Sequence, residues 1–376
     1  LRVGLNLVFL GERAGGAGRY ASELPGALLA AEPETEVHVF VSRDASPELR
    51  REPWAGSVRW VTLPVGLSGP PVHLLAQFAG LPAFALSKRL DVLHSPANTG
   101  PVLTPGLASV VSLLDLIWLH RAAEWEASAR VHKRMRMLVR HCVRHADRVF
   151  AISQAAADDF VQTLGLSRER IDVTPLGVRP PSGPATPEGE VRERLRLGDA
   201  RIVLCVAQKR PYKNLHRLVS ALAELDEDVV LVLPGSSTPY ELELRELAAK
   251  LGMDERVRFP DWLSDAELNG LYALSSAFVL PSLIEGFGLP VLEAMARGVP
   301  VTCSNISALP EVAGDAALLF DPESQAEITA ALRRLLDDRE LAKTLIARGH
   351  TRVEDFSWRR TGECSLAGYR DAIASR

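Results

Sequence analysis

The sequence predicts an α/β protein built on two doubly wound parallel sheets. Three observations carry that prediction: short apolar, β-branched runs alternate with helical patterns, the alternation comes in two successive series, and a proline-rich break separates them. A chain of 376 residues exceeds one ordinary core and suits two domains of usual size. The first series places strands at Arg2–Leu7, Glu36–Val41, Val58–Leu63, Val92–His94, Ser109–Leu113, Arg148–Ala151 and Ile171–Thr174. The second places them at Ile202–Val206, Val229–Leu233, Val257–Phe259, Ala277–Leu280, Val299–Thr302 and Ala317–Leu319. Helical spacing fills the gaps, for example over Leu215–Leu225, Glu241–Leu251, Asp265–Ala273 and Gln325–Asp337.

Between the two series, Gly177–Pro187 holds four prolines and two glycines, which can continue neither a helix nor a central strand. The linker is therefore placed at 178–188, with a first domain over 1–180 and a second over 188–356. A last helix within 357–376, near Trp358–Ala374, is expected to pack back on the first domain. Ligands of open α/β sheets bind beyond the carboxyl ends of the strands. Two Rossmann-like domains facing across a cleft would gather their chemistry there.

Composition narrows the class. The chain is 47% hydrophobic and 24% charged, with a formal net charge of −4. It is globular, with no overall sign of a nucleic-acid or membrane partner. Cys142, Cys205, Cys303 and Cys364 lie far apart without a C-x-x-C pair, which reads as reduced thiols of a cytoplasmic protein, with no metal expected. No secretory signal precedes the first strand, although Leu1 rather than Met begins the chain and leaves a removed leader open. The apolar stretch Val72–Leu86 is interrupted by His73, Gln77 and Gly80-Leu-Pro82, too short to span a bilayer. It reads as a buried helix pair or a hydrophobic surface element.

The chemistry concentrates in Ser282–Ala296, SLIEGFGLPVLEAMA. A buried strand, Ala277–Pro281, leads through a turn holding Gly286, Phe287 and Gly288 into a helix from Leu289, with Pro290 in its first turn, where proline is tolerated. Such a turn directs backbone N–H groups and the positive end of a helix dipole at the space above the strand, a place suited to a diphosphate. Glu285 enters from the loop and Glu293 sits one turn into the helix, so two acceptor-only carboxylates can bind hydroxyls of two sugar rings. Upstream, Ala207-Gln-Lys-Arg-Pro-Tyr-Lys-Asn214 follows a strand and opens a helix with Asn214 near its cap. There Arg210 can grip a phosphate bidentately and Lys213 adds a point charge.

The string E-G-F-G-L-P-x-L-E-A-M-A-x-G-x-P-V resembles the E-x7-E signature of the retaining glycosyltransferases of family 4. That resemblance implies the GT-B fold, with an acceptor-side first domain and a donor-side second domain. It also implies transfer of a hexosyl unit from a nucleoside diphosphate sugar to a hydroxyl. It puts Glu285 on the transferred sugar and Glu293 on the donor ribose. Arg210 and Lys213 fall on the leaving diphosphate, doing without a metal what a metal does elsewhere. The segment Pro260–Leu268, with Trp262, resembles the loop flanking the nucleotide base. Ser304–Asp315 also matches, with Glu311 a weaker candidate.

In the first half, Gly15-Gly-Ala-Gly-Arg-Tyr20 resembles the family's glycine loop near the donor phosphates, with Gly16 and Gly18 allowing close backbone approach ahead of a helix starting at about Tyr20. The same glycines loosely fit a dinucleotide fingerprint, but the loop from Phe9 is long and no clear ribose-binding acid follows a second strand, Asp44 being the only nearby candidate. In Val110–Trp118, Asp115 keeps its place, but Leu114 stands where many members have a histidine near the transferred sugar. His94, Asn98, Asp115 and His120 are candidates to replace it. For each histidine an ordinary structural or surface role is the simpler alternative. Retention in this family is usually described without an enzyme nucleophile, the departing phosphate assisting acceptor deprotonation, so Leu114 need not abolish activity.

From Arg121 to Arg148 eight Lys/Arg stand against Glu124, Glu126 and Asp147. Val131, Met135, Leu138, Val139, Cys142, Val143, Ala146 and Val149 recur at helical spacing, giving an apolar stripe backed by a cationic face. Over 129–149 this reads either as a packed helix with a solvated basic side or as peripheral contact with an anionic membrane, such as an inner membrane face, or a lipid-diphosphate acceptor. The G-G-x-G-R-Y and L-P-E-V segments resemble bacterial mannosyltransferase-type members and point first to GDP-mannose, with UDP- and dTDP-sugars as alternatives. Polysaccharide, lipid-linked glycan and small metabolite all stay open as acceptors; nucleic acid is not expected. Two other classes compete. An NAD(P) oxidoreductase would leave Glu285 and Glu293 unexplained, and a non-catalytic sugar-nucleotide-binding protein would fit Leu114.

Overall fold

The computed structural model describes residues 1–10, 15–64, 80–124, 128–181 and 183–376. The chain divides into two compact units, Leu1–Gly177 with Phe356–Arg376, and Val178–Asp355. The first holds a seven-stranded sheet in the order β3-β2-β1-β4-β5-β6-β7. Its strands are β1 Arg2–Asn6, β2 Glu36–Val41, β3 Arg59–Thr62, β4 Val92–Ser95, β5 Ala108–Leu113, β6 Arg148–Ala151 and β7 Ile171–Val173. The second holds a six-stranded sheet in the order β10-β9-β8-β11-β12-β13. These strands are β8 Arg201–Leu204, β9 Val229–Val232, β10 Val257–Arg258, β11 Ser275–Leu280, β12 Val301–Ser304 and β13 Ala317–Phe320. Every pairing is parallel.

Each expected strand is present, its ends shifted by at most two residues. The central strands explain why they were legible. All six residues of β5 and all four of β4 and β9 are buried; β9 is apolar throughout, while β4 and β5 set His94, Ser95, Ser109 and Ser112 among apolar residues. In both sheets the order turns back beside the first strand of the series, between β1 and β4 and between β8 and β11. That is the switch point where the loops on either side diverge and leave a crevice.

The helix Trp358–Ala374, capped by Ser357, whose Oγ accepts from Arg360 N, belongs to the first unit. It lies against the helix Gly15–Ala31 so closely that a Cβ on Gly362 would come within 2.0 Å of Ala27 O. Only glycine permits that approach. Thr361 Oγ1 donates to Pro175 O at 2.7 Å, and Arg370 pairs with Glu32.

Three expectations change here. The helix expected from about Tyr20 begins at Gly15, so Gly16 and Gly18 lie in its first turn and not in a loop before it. Glycines read as breakers, and their propensity cost of about 1 kcal/mol each is offset by burial of Tyr20, Leu24 and Leu28 further along the helix. The apolar stripe of the basic helix, Ala129–His145, is buried only at Val139, Cys142 and Val143, while Val131 and Met135 are exposed. Only its last turns reach the cluster built on β5 and β6. Arg148 leaves the cationic face: it sits in β6 and its Nε donates to Asp172 Oδ2 at 2.8 Å. Of Val72–Leu86, the part after residue 79 forms the start of the helix Leu81–Ser87, with Phe84 and Leu86 exposed. The rest of that stretch, and Glu126 in the basic segment, lie outside the described residues.

Candidate active site

In the second unit the loops after β8 and β11 leave adjacent strands on the two sides of the switch point. The loop after β8 carries Arg210 and Lys213, and the loop after β11 carries Glu285 to Gly288. Their meeting is direct. Lys213 Nζ donates to Glu285 Oε1 at 2.6 Å, and Ser282 Oγ donates to the same oxygen at 2.7 Å. The ion pair is largely but not wholly shielded, its side chains 12% and 10% exposed. Burial is the largest single influence and disfavours the Lys213 ammonium, yet Glu285, with smaller help from Tyr212 and Cys205, raises the pKa above the ordinary lysine value.

The surrounding backbone is tied from several sides. Ser307, in the left-handed region at φ 59°, accepts from Glu285 N at 3.2 Å and donates to Glu285 O at 2.6 Å. Leu283 N donates to Tyr212 O at 2.8 Å, joining the two loops. Asn214 stands at the start of the helix Leu215–Leu222, but its side chain does not cap it. In the left-handed conformation, fully buried, its Nδ2 donates to Pro281 O at 3.0 Å and Pro322 O at 2.7 Å. The amide that capping logic assigns to a local N–H instead clamps three loops.

The turn into the helix Leu289–Ala296 has the backbone form the sequence suggested. Gly288 has φ 108°, and a Cβ there would meet Leu309 Cδ2 at 2.6 Å. The positive φ calls for glycine, and any side chain there would also have to push Leu309 aside. Pro290 lies in the first turn, and Glu293 is buried within the helix at 7% exposure. Beneath the pair, burial pushes the Cys205 and Cys303 thiols up to about 12, so both are inert neutral groups. Trp262 follows β10, at the sheet edge, and is 77% exposed. It takes no part in the Lys213–Glu285 cluster. Glu311 is exposed on a short helix, Leu309–Ala313, and its carbonyl accepts from Arg352 at 2.6 Å.

The first unit treats its polar candidates differently. Leu114 is buried, and its N–H donates to Asn98 Oδ1 at 2.9 Å. Asp115 Oδ1 accepts from Ile117 N at 3.0 Å, holding the turn after β5. His120 faces both oxygens of Asp159 at 2.9 Å. His94 is wholly buried in β4, with Nδ1 2.7 Å from Tyr369 Oη and Nε2 2.7 Å from Ser112 Oγ. Burial lowers its pKa to about 3. A neutral, fully partnered core histidine cannot replace a sugar-facing one. Among the described residues a Cβ at Gly16 would meet no atom within 4 Å, so none of them crowds that position.

Sequence reasoning gave no role to Ser282, Ser307, Lys209 or Thr238. Ser282 had a local signal, its three-residue spacing from Glu285. Ser307 had none, because its partner lies 22 residues away.

Two doubly wound parallel-sheet units, each with its own switch point and the second furnished with an ion pair and a glycine turn, have the fold of the GT-B glycosyltransferases. Residues 188–352 match the family of glycosyl transferases group 1, and residues 14–180 match glycosyltransferase family 4. Along the sequence the chain is 30% identical to a D-inositol 3-phosphate glycosyltransferase of Acidothermus cellulolyticus, over 96% of this chain and 87% of that protein. It is 27% identical to the O-antigen chain mannosyltransferase B of Escherichia coli, over 94% and 96%. It is 36% identical to the MMP alpha-(1->4)-mannosyltransferase of Mycolicibacterium hassiacum, over 61% of this chain and only 56% of that protein. In fold it is similar to a sucrose-phosphate synthase from Thermosynechococcus elongatus, with TM-score 0.77 and 22% identity over all of both chains. The chain belongs to the family 4 glycosyltransferases, and mannosyltransferases are among its relatives.

Proposed function

We propose that this protein transfers a hexosyl unit from a nucleoside diphosphate sugar to an acceptor hydroxyl with retention of the anomeric configuration, mannose from GDP-mannose being the first donor. The observation that carries the reading is the Lys213–Glu285 contact at the β8–β11 switch point. Lys213 and Arg210 take the leaving diphosphate, the lysine sharing its protons between Glu285 and a phosphate oxygen once donor enters. With Oε1 already occupied by Lys213 and Ser282, Glu285 offers Oε2 to a sugar hydroxyl, and Glu293 takes the ribose. The bond from anomeric carbon to phosphate oxygen breaks as the acceptor oxygen bonds that carbon on the same face, and the acceptor proton passes to the phosphate. Cationic side chains stabilise the charge left on the diphosphate, which leaves no step that calls for a metal.

Mannosyltransferase relatives favour mannose. The O-antigen relative favours a glycan acceptor, and the inositol phosphate relative a small one. The exposed start of the helix Ala129–His145, with Arg130, Lys133, Arg134 and Arg136 beside Val131, Met135 and Met137, supports peripheral contact with an anionic membrane face from the cytoplasm. Among the described residues no helix is long and apolar enough to cross a membrane.

A thermal-shift screen against GDP, UDP, dTDP and NAD(H) tests the reading. Stabilisation by one nucleoside diphosphate is expected, growing with ligand concentration as binding to the native state requires. Stabilisation by NAD(H) alone would favour an oxidoreductase. Diphosphate binding without sugar transfer or donor hydrolysis would leave a non-catalytic binder.

A further inference from the structure

The helix Pro239–Lys250 begins at Thr238-Pro-Tyr-Glu241, the spacing of a capping box, in which Thr and Glu side chains satisfy each other's backbone N–H groups. At Ser264 and Glu267 the same spacing forms that box in full. At Thr238 it does not: the helix has no side-chain cap. Thr238 Oγ1 donates instead to Lys209 O at 2.6 Å. Glu241 turns its Oε2 to Lys209 Nζ at 3.1 Å while Oε1 takes Arg245. Both capping side chains are thus committed to one residue of the loop after β8.

Lys209 is the natural place for such a tie. It directly precedes Arg210 and stands four residues before Lys213. Its side chain is 1% exposed and Glu241's is 8%. Its ammonium also donates to Gly235 O, and Gly235 N donates to Pro260 O at 3.2 Å, at the head of the loop that bears Trp262. One buried cation therefore joins the connections after β8, β9 and β10. Glu241 balances its charge, so it adds little to the field that attracts an anion. A buried ion pair is no better for stability than good apolar packing, which leaves geometry as its distinctive contribution.

We propose that Lys209, held by Thr238 and Glu241, is a positioning residue that sets the Arg210–Lys213 loop in the geometry needed to bind the donor diphosphate. The inference rests on the proposed function and deepens it. Diphosphates bind through oxygens that must meet several donors at once, so a loop displaced by about 1 Å can cost up to about a hundredfold.

The experiment compares the wild-type protein with Lys209→Arg, the double variant K209M/E241L and Thr238→Val. Affinity for the best nucleoside diphosphate of the screen, melting temperature, and donor KM and kcat are measured for each. The double variant leaves no unpaired buried charge on Glu241, and Thr238→Val removes one hydroxyl at constant shape. Weakening of diphosphate binding by tenfold or more is expected in the double variant and by two- to fivefold in Thr238→Val. The loss should fall on donor KM more than on kcat, with melting within a few degrees of wild type, and Lys209→Arg should restore most of it. Unchanged donor affinity in a folded Thr238→Val or double variant would overturn the inference, as would losses that track melting temperature alone. If the double variant does not fold, Thr238→Val decides. Failure of the wild-type protein to bind any nucleoside diphosphate would instead remove the proposed function itself.

Discussion

The two sheets share one topology around their switch points, β2-β1-β4-β5 in the first unit and β9-β8-β11-β12 in the second, yet they use polar residues in opposite ways. In the first, polar side chains satisfy one another inside the core. Asn6 Nδ2 donates to Ser95 Oγ at 3.1 Å, and Ser112 Oγ lies 2.8 Å from Tyr20 Oη and 2.7 Å from His94 Nε2. Burial keeps His94 neutral and raises the Tyr20 phenol far above its ordinary value. In the second, the polar groups stand on the loops beyond the strand ends and stay charged. Topology supplies the place for a ligand, and only the depth of the side chains decides whether that place becomes a structural network or a charged site. The largest expected effect tests this division. Glu285→Gln and Lys213→Ala should each lower kcat/KM for sugar transfer by about 10²–10³-fold, the scale of losing one preorganised charge-stabilising contact, measured well below the melting temperature because each variant leaves one member of a largely buried pair without its partner. Unchanged transfer rates in both would show that the second switch point is not the reaction site.

Much of that contrast was visible in the sequence. Strands buried on both faces are mostly apolar, and β9 and β11 were found for that reason, with β4 and β5 as apolar runs interrupted by His94, Ser95, Ser109 and Ser112. The loop of Glu285 was legible because Gly286, Gly288, Pro290 and the two glutamates lie within one short segment, where each residue has a local geometric reason. Spatial partners without local spacing were not legible. Asn214 reads as a cap and is a clamp between Pro281 and Pro322; Thr238 and Glu241 read as a capping box and are a tether for Lys209. His94 was open as a replacement for the missing sugar-facing histidine because β4 shows it only as a polar residue in an apolar run. Its partner Tyr369 lies 275 residues away.

A smaller effect separates the two networks by pH. His94 has a folded pKa lowered to about 3 against about 6.5 unfolded. The unfolded chain therefore binds the extra proton between those values, and stability is full above the unfolded value and falls as pH falls. Between pH 7 and pH 5 this amounts to about 2 kcal/mol. His94→Gln should be less stable at neutral pH and should flatten that acid slope in denaturant titrations. It should leave diphosphate affinity unchanged. Lys213 behaves oppositely. Its raised pKa means the ion pair holds below the ordinary lysine value and is lost only as pH climbs through the higher folded one. A transfer rate that fell on an alkaline limb shared by His94→Gln but absent from Lys213→Arg would place that limb on Lys213. An acid slope equal in wild type and His94→Gln would mean that the buried network is not what titrates.

The smallest expected effect lies in the first unit, where one helix holds both behaviours. The last turns of Ala129–His145 are buried through Val139, Cys142 and Val143, while its first turns expose Val131, Met135 and Met137 among arginines and a lysine. Surface cations contribute about 1 kcal/mol each near an anionic leaflet, and salt screens them. Vesicles containing a third phosphatidylglycerol should therefore bind the protein weakly at low salt, with binding lost toward 0.5 M NaCl. Reversing Lys133 and Arg134 to glutamate should weaken binding several-fold at low salt and leave nucleotide affinity and melting unchanged, because neither side chain is buried. Binding that ignores both lipid charge and ionic strength would mean that the exposed cationic face is only solvated.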